Sequence, residues 1–172
     1  MLRNATRMGA LRRQRRQRFS IRYWSERLNG VPAFILGNGP SISELDVQKL
    51  APYFTIGINR AFHLLDPTVL IWQDISLWNT EHQHLHNLSA LKVARDVADP
   101  KRLYYNFYLK GSSYEFDQMK RTHVLYGRGS TGPLAIQLAV AMGCRPIILL
   151  GMDCKRGMDG RSDFYGENQY WL

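Results

Sequence analysis

The sequence predicts an α/β fold: a doubly wound, mainly parallel sheet with helices on both faces. Three observations predict it. Short apolar runs of strand length recur, and Ala33–Leu36, Thr55–Ile58 and Val69–Trp72 each end in a polar group. Two of the strand-like runs, one before Gly37 and one at His123–Tyr126, run directly into glycine-rich turns and then into helix-like stretches. Pro146–Leu150 is a second strand reached through a strongly apolar helix, Pro133–Met142. Two strand–turn–helix units of this kind are the mark of a Rossmann-like architecture, whose ligands bind at the carboxyl ends of the strands.

The chain is organised around Val31–Ser41, VPAFILGNGPS. Gly37 and Gly39 lack a Cβ, so the backbone there can turn tightly and lie close to a ligand. Pro40 stiffens the turn, and Ser41 or Ser43 can cap a helix over Ile42–Leu50. A strand, a glycine turn and a helix N-terminus together form a ready anion site. The motif is neither the dinucleotide fingerprint nor a P-loop, since position 42 is Ile and no GK[ST] follows. Asn38, between the two glycines, can both donate and accept, which suits a phosphate or a sugar hydroxyl.

Upstream, Ile21–Leu28 reads as a short helix or strand closed by the Asn29-Gly30 turn. Downstream, Asn59-Arg60 ends the second strand, Ala61–Leu65 is a helical turn, and Gln73-Asp74 ends the third strand. Asn38, Asn59 and Asp74 are therefore expected on one rim. Ile75–Val97 is less regular; His82, His84 and His86 invite a metal reading, but HxHxH lacks a carboxylate partner and reads as a solvated helix. Leu103–Asn106 is a further strand and Lys110–Lys120 a polar loop. Gly127-Arg128-Gly129-Ser130-Thr131-Gly132 is the second glycine turn, with a hydroxyl pair at the start of the Pro133 helix, which Gly143 stops. Pro146–Leu150 reads as a fully buried strand ending in Gly151-Met152-Asp153. Lys155–Leu172 reads as an ordered loop against the site. The bland alternatives are that Asp74 and Asp153 cap the turns that follow them and that Ser130 and Thr131 cap their helix.

Charge divides the chain. Of 23 Lys and Arg residues, eight arginines and no acid fall in residues 1–22, leaving 15 basic against 14 acidic residues. Residues 1–20 therefore form a basic arm and 21–172 a single, nearly neutral domain. The arm suits an anionic membrane surface, or nucleic acid, or simply solvent; nothing else resembles a nucleic-acid module. No apolar run approaches the ~18 residues needed to span a bilayer, and the Arg-rich start has no signal-peptide core. Cys144 and Cys154 sit in no CxxC motif, so zinc is not expected and both read as buried thiols of a reduced, cytoplasmic protein, peripheral to the membrane at most.

Five ordered motifs then carry a resemblance: GNGPS at 37–41, INRAF at 58–62, QD at 73–74, RGSTG at 128–132 and LLGMD at 149–153. Over roughly residues 32–165 the chain resembles the Maf/MptE-like family, which contains flagellin-associated glycosyltransferase domains and is similar to bacterial lipooligosaccharide sialyltransferases. The archaeal pterin diphosphokinases of that family hold Mg²⁺ and ATP on clustered aspartates. Here those positions read Asn59-Arg60-Ala61 and Trp72-Gln73-Asp74, which argues against pyrophosphoryl transfer. The sialyltransferase-like branch matches better and requires no metal or other cofactor.

The resemblance implies a nucleotide-activated sugar as donor and a glycan or protein hydroxyl as acceptor. It puts Gly37, Asn38, Gly39, Ser41 and Asn59 on the nucleotide's phosphate and ribose. It puts Asp74, Arg128, Ser130, Thr131 and Gly132 along the same donor site. Asp153 would orient the nucleotide, and Tyr165, with Tyr170 as a second candidate, would hydrogen-bond the leaving phosphate. Asp153 and Tyr165 are thus the expected catalytic pair. The family's catalytic histidine has no counterpart after His123, unless the His82–His86 group folds over the rim. The chain also reads as shortened at its C-terminal end. It is then a binding-only version, or one completed by a partner subunit such as a second copy.

Overall fold

The structure is a computed structural model and describes residues 21–101, 103–110, 124–127 and 129–165. The basic arm, the 111–120 part of the polar loop, His123, Arg128 and Tyr170 lie outside the described residues. The strands are β1 (Ala33–Leu36), β2 (Thr55–Ile58), β3 (Val69–Trp72), β4 (Leu91–Arg95), β5 (Tyr105–Lys110), β6 (Val124–Tyr126) and β7 (Ile147–Leu150). They form one sheet in the order β6-β5-β4-β3-β2-β1-β7, and every pairing is parallel. The two α-helices among the described residues are α1 (Ile75–Asn87) and α2 (Thr131–Met142).

The direction of travel explains which face each connection covers. From β1 to β5 the chain steps one way, and the 3-10 turns and α1 pack on one face. From β6 it returns the whole width of the sheet through α2, on the other face, to pair β7 with β1. Reversing direction while changing face keeps parallel crossovers right-handed. The reversal leaves a topological switch between β1 and β7.

Side-chain alternation divides two cores. Ala33 and Ile35, Ile56 and Ile58, Val69 and Ile71, Val93, Phe107 and Leu125 pack with Leu134, Leu138 and Met142 of α2. Leu70, Trp72 and Ala94 pack on the opposite face with Leu77, Trp78 and Leu85 of α1. Full burial of each such side chain contributes ~1.5–3 kcal/mol, so the sheet is held from both sides. The segment after the 3-10 turn Ile21–Trp24 covers the end of α2: Glu26, Leu28 and Gly30 donate their amides to the carbonyls of Ala141, Met142 and Gly143 at 2.8–3.0 Å. Those carbonyls have no partner within the helix itself. Gly143 ends α2 with φ +87°, as its lack of a Cβ allows.

Five local readings are corrected. Ile42–Leu50 is not one helix but two 3-10 turns, Pro40–Glu44 and Val47–Leu50, separated by extended Leu45. The irregular Ile75–Val97 stretch holds a 13-residue helix and a whole strand, β4. The strand expected at Leu103–Asn106 begins only at Tyr105, because Leu103 and Tyr104 donate their amides to the buried Asp99 carboxylate at 3.0 Å. β7 is not fully buried but is an edge strand, with Leu149 47% exposed. Cys144 is buried as expected, but Cys154 is exposed. Trp72 and Trp78 are core residues.

Candidate functional site

Because the strands are parallel, their carboxyl ends share one edge, and the polar residues that follow them line it. At one end of this edge β1 and β7 meet. Gly37 donates its amide to Leu150 O at 2.8 Å and Gly39 donates to Gly151 O at 2.7 Å. A Cβ on Gly37 would lie 2.2 Å from the Gly151 carbonyl oxygen, and one on Gly39 would lie 2.5 Å from Asp153 Oδ2. The glycines thus admit the end of β7, where a ligand was the expected neighbour. Gly132 has the same kind of reason, since its Cβ would lie 2.5 Å from Met152 Cε.

Asp153 spans this junction. Ser41 donates its amide to Oδ2 at 2.9 Å and its hydroxyl to Oδ1. These bonds, the hydroxyl's first, hold the Asp153 carboxyl below its ordinary value. The chain's own carboxylate therefore takes the anion seat expected for a phosphate beside GNGPS. Asp153 does cap, but it caps the turn after β1 rather than its own.

The second glycine turn reaches the same edge. Thr131, the first residue of α2, donates its hydroxyl to Asn59 Oδ1 at 3.4 Å, joining α2 to the end of β2. Asn59 adopts φ +50°, a left-handed conformation that asparagine tolerates better than most residues. Ser130 precedes α2 but makes no capping bond with its side chain. Asn38 is half-buried, and its Oδ1 is buried with no hydrogen-bond donor among the described residues. A buried acceptor left without a partner costs ~1–3 kcal/mol. The described part of the tail, residues 155–165, folds back here, with Phe164 donating its amide to Asn38 O at 2.9 Å.

Asp74 follows β3, next to β2, and so shares the rim with Asn38 and Asn59. It opens α1 without a side-chain cap. Burial pushes its carboxyl above the ordinary value, and the Arg95 charge opposes this. Tyr165 is half-buried, with the Arg60 guanidinium 5.4 Å from its ring centroid. Burial raises the Tyr165 phenol, the Asp163 carboxylate adds to this, and Arg60 acts against both.

Arg60, Glu81 and Asp163 are the residues that the sequence reading left without a role. Arg60 lay inside the INRAF motif, so its position beside Asn59 was a usable signal. Nothing local marked Glu81, which meets Arg60 Nε at 3.3 Å only after folding. The histidines of α1 do not fold over the rim. The helix starts at the rim and runs from it at ~1.5 Å per residue, which puts His84 ~14 Å along the axis from Ile75. No protein-family model, characterised protein or solved structure matches this chain. Among the described residues, no helix is long and apolar enough to cross a membrane.

Proposed function

We propose that this chain is a metal-independent, sialyltransferase-like protein that binds a nucleotide-activated sugar at the carboxyl edge of its sheet and transfers the sugar to a hydroxyl acceptor. The observation that carries the reading is the meeting of two separate crossovers at that edge, where Thr131 bonds Asn59 and Asp153 bonds Ser41. The described residues of the five motifs that resemble the Maf/MptE-like family fall on this same edge. Asn38, with its orphaned buried oxygen, takes a ribose or amine hydrogen of the donor. The N-terminus of α2, with Ser130, Thr131 and Gly132, receives the phosphate, because the seat beside Ser41 is filled by Asp153. In transfer, the acceptor oxygen bonds to the anomeric carbon as the carbon–oxygen bond to phosphate breaks. The acceptor proton passes to a base, and Tyr165 donates a hydrogen bond to the departing phosphate.

A specific observation favours a second reading, a nucleotide-binding module without catalysis: the α1 histidines descend away from the rim that needs a base. Calorimetric titration with CMP and UDP sugars, with and without EDTA, tests the binding common to both. Binding that survives EDTA and weakens at least ~10-fold in Asn38→Ala is expected, that factor corresponding to ~1.4 kcal/mol. No binding of any nucleotide sugar overturns both readings. Strict Mg²⁺ dependence with ATP consumption replaces them with pyrophosphoryl transfer.

A further inference from the structure

One cluster outside the rim has the chemistry of a ligand set. His63 ends the 3-10 turn that follows β2, and Glu81 and His84 stand one turn apart on the same face of α1. His84 Nδ1 lies 3.3 Å from Glu81 Oε2, and His63 Nε2 lies 3.6 Å from Glu81 Oε1. The three ligand atoms all lie within 4.8 Å of one another. A tetrahedral ion with bonds of ~2.0–2.1 Å to nitrogen and oxygen needs its ligand atoms ~3.3 Å apart. With one ligand atom from each residue the set lies within 4.8 Å, and rotation of the solvent-accessible histidine side chains can close it to that spacing.

We propose that His63, Glu81 and His84 bind one divalent transition-metal ion of the Zn²⁺ class. Two imidazoles and one carboxylate are a donor set that suits Zn²⁺ or Co²⁺ and is poor for Mg²⁺. Arg60 Nε approaches Glu81 Oε1 at 3.3 Å and leaves Oε2 toward His84, the kind of bond that orients a ligating carboxylate. The Phe62 ring stacks on His63 at 4.3 Å and faces His84 at 6.2 Å, which limits the planes both imidazoles can adopt. The two histidine side chains are 37% and 67% exposed against 15% for Glu81, so an ion enters from solvent onto a half-buried carboxylate. The ion ties the turn after β2 to α1, and thereby fixes the base of Arg60, whose guanidinium lies over Tyr165. It is a clamp beside the rim, independent of the metal-free transfer proposed above.

The test is titration of the full chain with Co²⁺, followed by its visible absorption, and with Zn²⁺ against a chromophoric chelator. One equivalent per chain and a tetrahedral Co²⁺ spectrum are expected. His63→Ala and His84→Ala should each weaken binding by ~100-fold or more, since removing even the hydrogen-bond partners of metal ligands costs ~10–100-fold. His82→Ala/His86→Ala, which removes the other histidine pair of α1, should leave binding unchanged. Zn²⁺ should raise the Tm of the parent chain and not that of His63→Ala, and equal metal-free Tm values keep the comparison free of folding defects. Absence of a single-equivalent site, or its loss in the His82/His86 variant while His63→Ala retains it, overturns the proposal.

Discussion

Gly37→Ala tests the seam between β1 and β7. The added Cβ would lie 2.2 Å from the Gly151 carbonyl oxygen and 2.8 Å from Met152 Cγ, against ~3.5 Å for an ordinary contact. The Met152 side chain can turn away, but the carbonyl is backbone, so the end of β7 must retreat by about 1 Å. That retreat lengthens two backbone bonds, Gly37 to Leu150 O and Gly39 to Gly151 O. Overpacking costs ~1–3 kcal/mol and each weakened bond up to ~0.5–1.5 kcal/mol, so a loss of ~3 kcal/mol is expected. For a chain of this length, ~2–4 °C per kcal/mol gives a fall in Tm of ~6–12 °C. Thermal unfolding followed by circular dichroism measures it. Gly30→Ala calibrates it: φ is +81° there, but nothing lies within 4 Å of the new Cβ, so only conformational strain of ~1–2 kcal/mol applies. A Gly37→Ala chain no less stable than Gly30→Ala would refute the packing argument.

Three further outcomes follow from the same geometry. Asp153 has its folded carboxyl lowered by the two Ser41 bonds, so its stabilisation is present above the ordinary carboxylate value and is lost as pH falls through the depressed one. The Tm difference between the parent chain and Asp153→Asn should therefore shrink from pH 6 to pH 3, and a constant difference would remove the carboxylate from the account. Burial pushes the Cys144 thiol up to about 11, whereas Cys154 is exposed. A thiol reagent at pH 8 should thus label Cys154 alone in the folded chain and both cysteines in denaturant, as peptide mapping would show. Leu149→Lys should change Tm little, because this side chain is 47% exposed on an edge strand; a loss as large as that of a core leucine would mean that β7 is covered.

The parallel sheet was legible because its central strands are short apolar runs that stop at polar residues. Thr55–Ile58 and Val69–Trp72 were read with their true limits. β4 was missed because Leu91–Arg95 carries Lys92 and Arg95, and a half-buried strand of that composition resembles a solvated loop. The edge status of β7 was hidden for the opposite reason: four consecutive aliphatic residues read as buried whether or not a neighbour covers them. At the rim, the convergence of the 38 and 130 regions followed from parallel topology alone. The occupant of the first glycine turn did not, because no spacing in the sequence reveals that Asp153 reaches back to Ser41. Glu81 with His63 and His84 was invisible for the same reason, since HxHxH drew attention to three histidines of which only His84 stands in this cluster.

The full-width return from β6 to β7 has a consequence for how the domain opens. The first six strands lie beside their predecessors in chain order, but the seventh closes onto the first only after the other six have been laid down. The β1–β7 seam is the strand pairing that joins the most widely separated segments of the sheet, and among the described residues β7 has no second neighbour in it. Local opening should begin at this seam, with the remaining strands still paired. Amide hydrogens of Ala33 and Gly37, which bond to Pro146 O and Leu150 O, and those of β7 would then exchange before those of β2, β3 and Phe34, whose amide bonds to Phe54 O. A molecule gripping both sides of the rim would act as a latch on the last joint to form.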